Sequence, residues 1–129
     1  MSRILIVEDN PDNMKLFRAL LTLRGHEVTA LPSGDGLFDT LAETRPELIL
    51  MDVQLPGKDG FELLSDIRRS EWAHLRVVGL SAHAMPGDRE KARAAGFDDY
   101  ITKPIEITAF PKQVEHALAG RRIDSLEVT

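Results

Sequence analysis

The chain has 129 residues, 43% hydrophobic and 29% charged, a size and balance suited to one globular domain with its own apolar core and too small for two. A formal net charge of −5 argues against direct nucleic-acid binding, which needs Lys and Arg clustered against phosphates. With no cysteine, a disulfide framework and a thiolate metal site are excluded, and a reducing compartment is the natural setting.

Met1-Ser2-Arg3 leads directly into the short apolar run Ile4 to Val7. That run is far below the apolar stretch of a signal peptide or a membrane span, so a cytoplasmic protein without membrane insertion is expected. Ile4 to Val7 reads as a first strand. A helix should begin at Pro11, place Met14, Phe17 and Leu21 on one face, and stop at Gly25.

Val28 to Leu31 reads as the second strand, followed by a short helix from about Gly36 to Thr44 with Leu37 and Leu41 inward and Pro46 as a stop. Leu48 to Met51 is the third strand. The next helix follows Asp59-Gly60 and carries Phe61, Leu64 and Ile67 at the spacing of one buried stripe. Trp72 is expected to anchor the loop before the fourth strand, Val77 to Leu80.

The fourth helix, about Met85 to Ala95, is rich in Ala and charge with Met85 as its single large apolar group. It should form readily, bury little and be loosely held. A weaker fifth strand lies around Tyr100-Ile101. The fifth helix runs from about Ile107 to Ala119, with Phe110, Val114 and Leu118 as its stripe, Pro111 in its first turn and Gly120 as its stop. Arg121 to Thr129 shows no apolar period and reads as a frayed tail, so residues 1–120 form the expected domain and 121–129 a C-terminal tail.

Strand and helix therefore alternate along the whole chain, and runs one, three and four are apolar at nearly every position. This pattern predicts an α/β fold: a parallel sheet with right-handed crossovers and helices on both faces. In such sheets ligands bind at the carboxyl ends of the strands. Those ends carry Glu8-Asp9-Asn10 after run one, Asp52 after run three, Ser81 after run four and Lys103-Pro104 after run five.

Crowded carboxylates repel one another and call for a counter-charge. A few oxygen ligands without an enclosing cage suit Mg²⁺, which keeps several waters and takes further ligands from a phosphoryl group. Lys103 supplies a mobile positive charge for a phosphoryl oxygen, and Ser81 a hydroxyl donor to another. Asp52 stands alone at its strand end and is the expected nucleophile, forming an acyl phosphate. Glu8 and Asp9 are adjacent, as a metal-holding pair.

Taken singly, each feature has an ordinary reading. An acidic pair after a strand is commonly a helix start, and Lys103 or Ser81 alone is an ordinary surface residue. Their joint placement at successive strand ends is what a solvated surface does not predict. Tyr100, on its residues alone, reads as an edge-strand aromatic packed on the fifth helix. His26, His74, His83 and His116 lack metal-ligand spacing and read as surface or loop residues, with His83 near enough to tune the site.

Residues 3–119 resemble the receiver domain of two-component response regulators, which are CheY-like in fold. The blocks Ile4-Leu5-Ile6-Val7-Glu8-Asp9-Asn10, Leu50-Met51-Asp52-Val53-Gln54-Leu55-Pro56-Gly57-Lys58-Asp59-Gly60, Leu80-Ser81-Ala82-His83-Ala84-Met85 and Tyr100-Ile101-Thr102-Lys103-Pro104 fall in family order. Val7-Glu8-Asp9-Asn10 with Asn13-Met14-Lys15-Leu16-Phe17 looks closest to single-domain regulators of the DivK cell-cycle type.

The resemblance implies a five-stranded sheet of order 2-1-3-4-5 and phosphorylation of Asp52 by a sensor histidine kinase or histidine phosphotransfer protein. It implies that Asp9, Asp52 and the backbone carbonyl of Gln54 ligate Mg²⁺, with Glu8 acting through water. Ser81 and Tyr100 would be the switch residues that reshape the face made by helix four, strand five and helix five. It further implies a cis Lys103-Pro104 peptide, which sequence alone would make trans.

Glu8 and Ser81 depart from the Asp and Thr of many relatives, and both keep the chemistry. Output is expected through protein contacts, with a downstream target or a phosphorylation-dependent homodimer. The domain is expected to be a signalling switch and not an enzyme acting on outside substrates. Two other functions compete with this reading. A phosphatase with an aspartyl nucleophile would need an acid/base two residues later, where this chain has Gln54, so only slow turnover is expected. A flavodoxin-like binding module would grip phosphate after strand one, where Glu8-Asp9-Asn10 would repel it.

Overall fold

The computed structural model describes residues 2–55, 57–82 and 87–123. In chain order the elements are β1 (Arg3–Val7), α1 (Pro11–Leu23), β2 (Glu27–Leu31), α2 (Leu37–Thr44) and β3 (Leu48–Asp52). They continue with α3 (Gly60–Arg68), β4 (Arg76–Ser81), α4 (Asp88–Ala95), β5 (Asp99–Thr102) and α5 (Phe110–Leu118). All strand pairs are parallel and the order is β2-β1-β3-β4-β5, as the resemblance implied.

Alternation along the strands sends side chains to two separate cores. Leu5, Val7, Ile49, Met51 and Val77 pack with Leu37 and Leu41 of α2, Leu63, Leu64 and Ile67 of α3, and Ala92 of α4. Ile4, Ile6, Leu48, Leu50, Val78 and Leu80 pack with Phe17 and Leu21 of α1 and with Phe110 and Val114 of α5. The Phe17 and Phe110 rings stack at 5.2 Å between centroids. Each fully buried aliphatic or Phe side chain contributes about 1.5–3 kcal/mol, so this double core holds the central strands in fixed register.

Local signals set the helix ends. Asn10 caps α1 by accepting from the Asn13 N–H at 3.0 Å, with Pro11 in the first turn. Asp59 and Glu62 form a reciprocal capping box on α3, which satisfies two otherwise orphaned donors. Pro111 sits in the first turn of α5, and Gly120 follows that helix with φ 78°.

Several expectations need correction. Phe61 is 42% exposed and meets Phe97 edge-on, while Gly60, Leu63, Leu64 and Ile67 form the buried stripe of α3. Helix α5 starts at Phe110, leaving Ile107 in a preceding turn and 58% exposed. His26 is not a surface residue. Its side chain is only 8% exposed, with Nε2 3.2 Å from Glu115 and Nδ1 accepting from the Ser2 N–H.

The start of the expected frayed tail is also ordered differently: Ile123 is 0% exposed in the α1/α5 core. The remainder of that tail, together with Met85 and His83, lies outside the described residues. Within α4 the one buried residue is Ala92, in keeping with a helix that buries little. Trp72 is half-buried against the α2/α3 core and stacks near His74.

Two outcomes follow from this packing. A Cβ placed on Gly60 would lie 2.5 Å from the Asp52 carbonyl oxygen and 2.7 Å from the Val53 Cα. Backbone cannot yield as a side-chain tip can, so Gly60→Ala should lower stability by about 1–3 kcal/mol in urea denaturation. The second concerns Glu115, which the Arg24 guanidinium holds below the usual carboxylate range against an opposing effect of burial, with His26 adding to it. A depressed folded pKa gives stability that is present above the unfolded value and lost as pH falls through the folded one. Glu115→Gln should therefore melt below the wild type by a gap that is widest at about pH 6 and closes towards about pH 3.

Candidate functional site

Because every strand runs the same way, all five carboxyl ends lie on one edge, and β1 and β3 are neighbours there. Asp52 is the last residue of β3 and 4% exposed. Its backbone is fixed by the Val53 N–H donating to the Leu80 carbonyl at 3.0 Å and the Gly60 N–H donating to the Val53 carbonyl at 3.1 Å. The missing side chain of Gly60 is what lets α3 begin so close behind the Asp52 backbone.

The Asp52 carboxylate is held from two sides. Its Oδ1 accepts from the Gln54 N–H at 2.9 Å and its Oδ2 accepts from Lys103 Nζ at 2.9 Å. The same ammonium donates to Glu8 Oε1 at 2.9 Å, and the Asn10 N–H donates to Glu8 Oε2 at 3.0 Å. Glu8 is 2% exposed, whereas the neighbouring Asp9 faces solvent. Oxygens of Glu8, Asp9 and Asp52 all lie within 4.8 Å of one another.

Burial raises the Glu8 carboxyl above its usual range; the Lys103 ammonium and the Asn10 amide work against that, and the nearby Asp52 adds to it. Burial alone would push Lys103 down, but its pairing with Glu8 and Asp52 outweighs this and holds its pKa above the usual lysine value. The ammonium thus stays charged, and among the described residues it is the cation that meets the three-carboxyl cluster of Glu8, Asp9 and Asp52. Hard oxygen donors, one of them open to solvent, fit a divalent cation that keeps part of its water shell.

Ser81 ends β4, 2% exposed, one residue beyond Leu80, which is in register with Asp52. Its carbonyl accepts from the Lys103 N–H at 2.7 Å, and the Lys103–Pro104 peptide is cis. Tyr100 is 4% exposed and belongs to the α2/α3/α4 core with Val53, Ala92 and Phe97. It does not pack on α5, because alternation along β5 sends Ile101, and not Tyr100, to that side. A cavity of about 290 Å³ joins Ser81 and Tyr100 to Val53, Gln54, Asp59, Phe61, Asp88 and Lys91.

The structure thus gathers Glu8, Asp9, Asp52 and Lys103 into one cluster and sets Ser81 and Tyr100 on the adjoining strands. Sequence reasoning missed that Lys103 is already divided between two carboxylates. The surplus of acidic residues at the strand ends was the available signal.

Comparison with known proteins agrees with this arrangement. The model of the response regulator receiver domain family matches residues 4–115. The chain belongs to that family. It is 40% identical over 116 residues to the polar-differentiation response regulator DivK of Brucella anthropi, covering 89% of this chain and 94% of the relative.

Among solved structures it resembles a response regulator from Chloroflexus aurantiacus, with TM-score 0.84, 28% identity, and coverage of 92% of this chain and 98% of that one. It also resembles the receiver domain of a sensor histidine kinase from Pseudomonas aeruginosa PAO1, with TM-score 0.80, 33% identity, and coverage of 92% and 98%. That structure has a magnesium ion coordinated in its active-site cleft. As in other receiver domains, the role is that of a signalling switch. Among the described residues no helix is long and apolar enough to cross a membrane.

The surplus charge makes the acidic cluster testable by cation titration. Ligand that binds only the folded state stabilises it, by about 2.7 kcal/mol at a hundredfold excess over Kd. Mg²⁺ should raise the thermal midpoint of the wild type in scanning fluorimetry, and the rise should vanish in Asp9→Asn.

Proposed function

We propose that the protein is a phosphoacceptor response regulator whose Asp52 takes a phosphoryl group from the histidine of a sensor kinase or phosphotransfer protein. The observation that carries this reading is the Lys103 ammonium bridging Asp52 and Glu8, each at 2.9 Å, with Asp9 in the same cluster. A structural ion pair would need only one carboxylate. Here negative charge exceeds positive at the rim, around the one side chain of the cluster that ends the central strand β3.

In the transfer, an oxygen of Asp52 attacks phosphorus in line, the new P–O bond forms, and the P–N bond to the donor imidazole breaks, its electron pair staying on the ring nitrogen. Lys103 leaves one carboxylate to pair with a phosphoryl oxygen, so its positive charge is kept at the reacting centre throughout. The Ser81 hydroxyl donates to another phosphoryl oxygen. Mg²⁺, held by Asp9, Asp52 and the Gln54 carbonyl with Glu8 acting through water, would supply the further positive charge that lets two anions approach.

Gln54 stands where an aspartyl-nucleophile hydrolase would place an acid/base, so loss of phosphate is self-catalysed and slow. Movement of Ser81 towards the phosphoryl group opens the space they share with Tyr100 and displaces α4, which is anchored by little apolar burial. The face of α4, β5 and α5 then carries the output, to a downstream protein or to a second copy of the chain.

Incubated with Mg²⁺ and a small phosphodonor such as acetyl phosphate, the wild type should gain one phosphoryl group by intact-mass spectrometry. Asp52→Asn should gain none, and omission of Mg²⁺ should prevent the gain. A variant lacking the Asp52 carboxylate that is still phosphorylated would overturn the assignment.

A further inference from the structure

Among the described residues the buried polar or charged side chains are Glu8, Asp52, Ser81 and Asp99. The first three belong to the site, and Asp99 does not. A buried carboxylate is costly unless paired, so its partners show what it holds together. Asp99 opens β5, the edge strand next to α4, and is 2% exposed.

Its two oxygens divide the work. Oδ1 accepts from Arg89 Nη1 at 3.2 Å, from Arg93 Nη2 at 3.3 Å and from the Tyr100 N–H at 2.9 Å. Arg89 and Arg93 are one helical turn apart on α4 and so present the same face. Oδ2 accepts from the Ile123 N–H at 2.6 Å, and Ile123 itself is 0% exposed. One carboxylate thus binds α4 and the switch strand on one side and the segment after α5 on the other.

We propose that Asp99 is a latch through which residues 121–123, held at Ile123, restrain α4, so that this short stretch is an intramolecular brake on the phosphorylation switch. The proposal rests on the receiver mechanism given above. Ala92 is the one buried residue of α4, so the two arginine pairs to Asp99 are a main tie of this helix to the sheet. Displacing α4 strains the grip on Ile123, and loosening Ile123 frees the carboxylate to yield to α4. Such coupling is reciprocal, so anything that draws the C-terminal segment away favours the phosphorylated arrangement.

The latch needs both oxygens to accept. In Asp99→Asn one side of the side chain becomes an NH₂ donor, which meets either the arginines or the Ile123 N–H donor to donor. Ile123→Pro removes that N–H and leaves Asp99 and both arginines in place, while Ile123→Ala removes apolar packing and keeps the N–H. All three are made in the full chain.

Hydrogen exchange should show α4 amides opening about fivefold faster in Asp99→Asn and Ile123→Pro, with α1 amides unchanged and Ile123→Ala less affected. Phosphorylation by acetyl phosphate with Mg²⁺ should speed up by a similar factor in the same two variants. Unchanged α4 exchange in Ile123→Pro, or faster exchange with an unchanged phosphorylation rate, would overturn the latch. If the wild type takes up no phosphoryl group at all, the phosphoacceptor reading fails instead, and α4 exchange still decides whether Ile123 is coupled to the helix.

Discussion

The structure depends on keeping like charges crowded at the end of an apolar sheet. Glu8 and Asp52 are buried beside each other, with Asp9 within reach of both. In an environment of low dielectric such a group of carboxylates is unfavourable unless compensated. Compensation comes from one ammonium shared between Glu8 and Asp52 and from the peptide N–H groups of Asn10 and Gln54. Among the described residues no second ammonium or guanidinium pairs with the cluster, which leaves it receptive to a divalent cation.

The rest of the fold offsets that cost. Leu50 and Met51 directly before Asp52, and Ile6 and Val7 directly before Glu8, are all fully buried, one of each pair in each core. A strand covered on both faces cannot slip by one residue without exposing its whole apolar set, so the register that brings Asp52 beside β1 is firmly specified. Burial of the strands and exposure of the charge are thus parts of one arrangement.

The same double covering made the centre of the fold legible in the sequence. Continuous apolar runs that stop at an acidic, hydroxyl or basic residue marked Asp52, Ser81 and the Glu8-Asp9 pair without reference to contacts. What stayed hidden depends on tertiary neighbours. Phe61, Leu64 and Ile67 have helical spacing, as do Gly60, Leu63, Leu64 and Ile67, and only the position of α3 on the sheet decides that Phe61 faces outward. Ile123 is a single apolar residue after a helix stop, with no period to announce its burial. Asp99 sits beside Asp98 in the sequence, and nothing there shows which carboxylate is buried; the fold puts Asp98 on Arg68 and Asp99 on α4.

The two halves of the site differ in how they are anchored. Glu8 and Asp52 hang from β1 and β3, interior strands with α1 and α5 on one face and α2 and α3 on the other. Ser81 and Tyr100 lie on β4 and β5, towards the edge where, among the described residues, α4 buries Ala92 and pairs Arg89 and Arg93 with Asp99. A two-state element needs a fixed reference and a part that moves at small cost. Apolar burial makes the inner half stiff, because any shift opens voids across two cores. The α4 side is held by the pairs of Arg89 and Arg93 with the buried Asp99 and by little apolar packing. Apolar burial on both faces therefore surrounds Glu8 and Asp52, while towards α4 the contacts become fewer and more polar, which is the asymmetry the proposed switch requires.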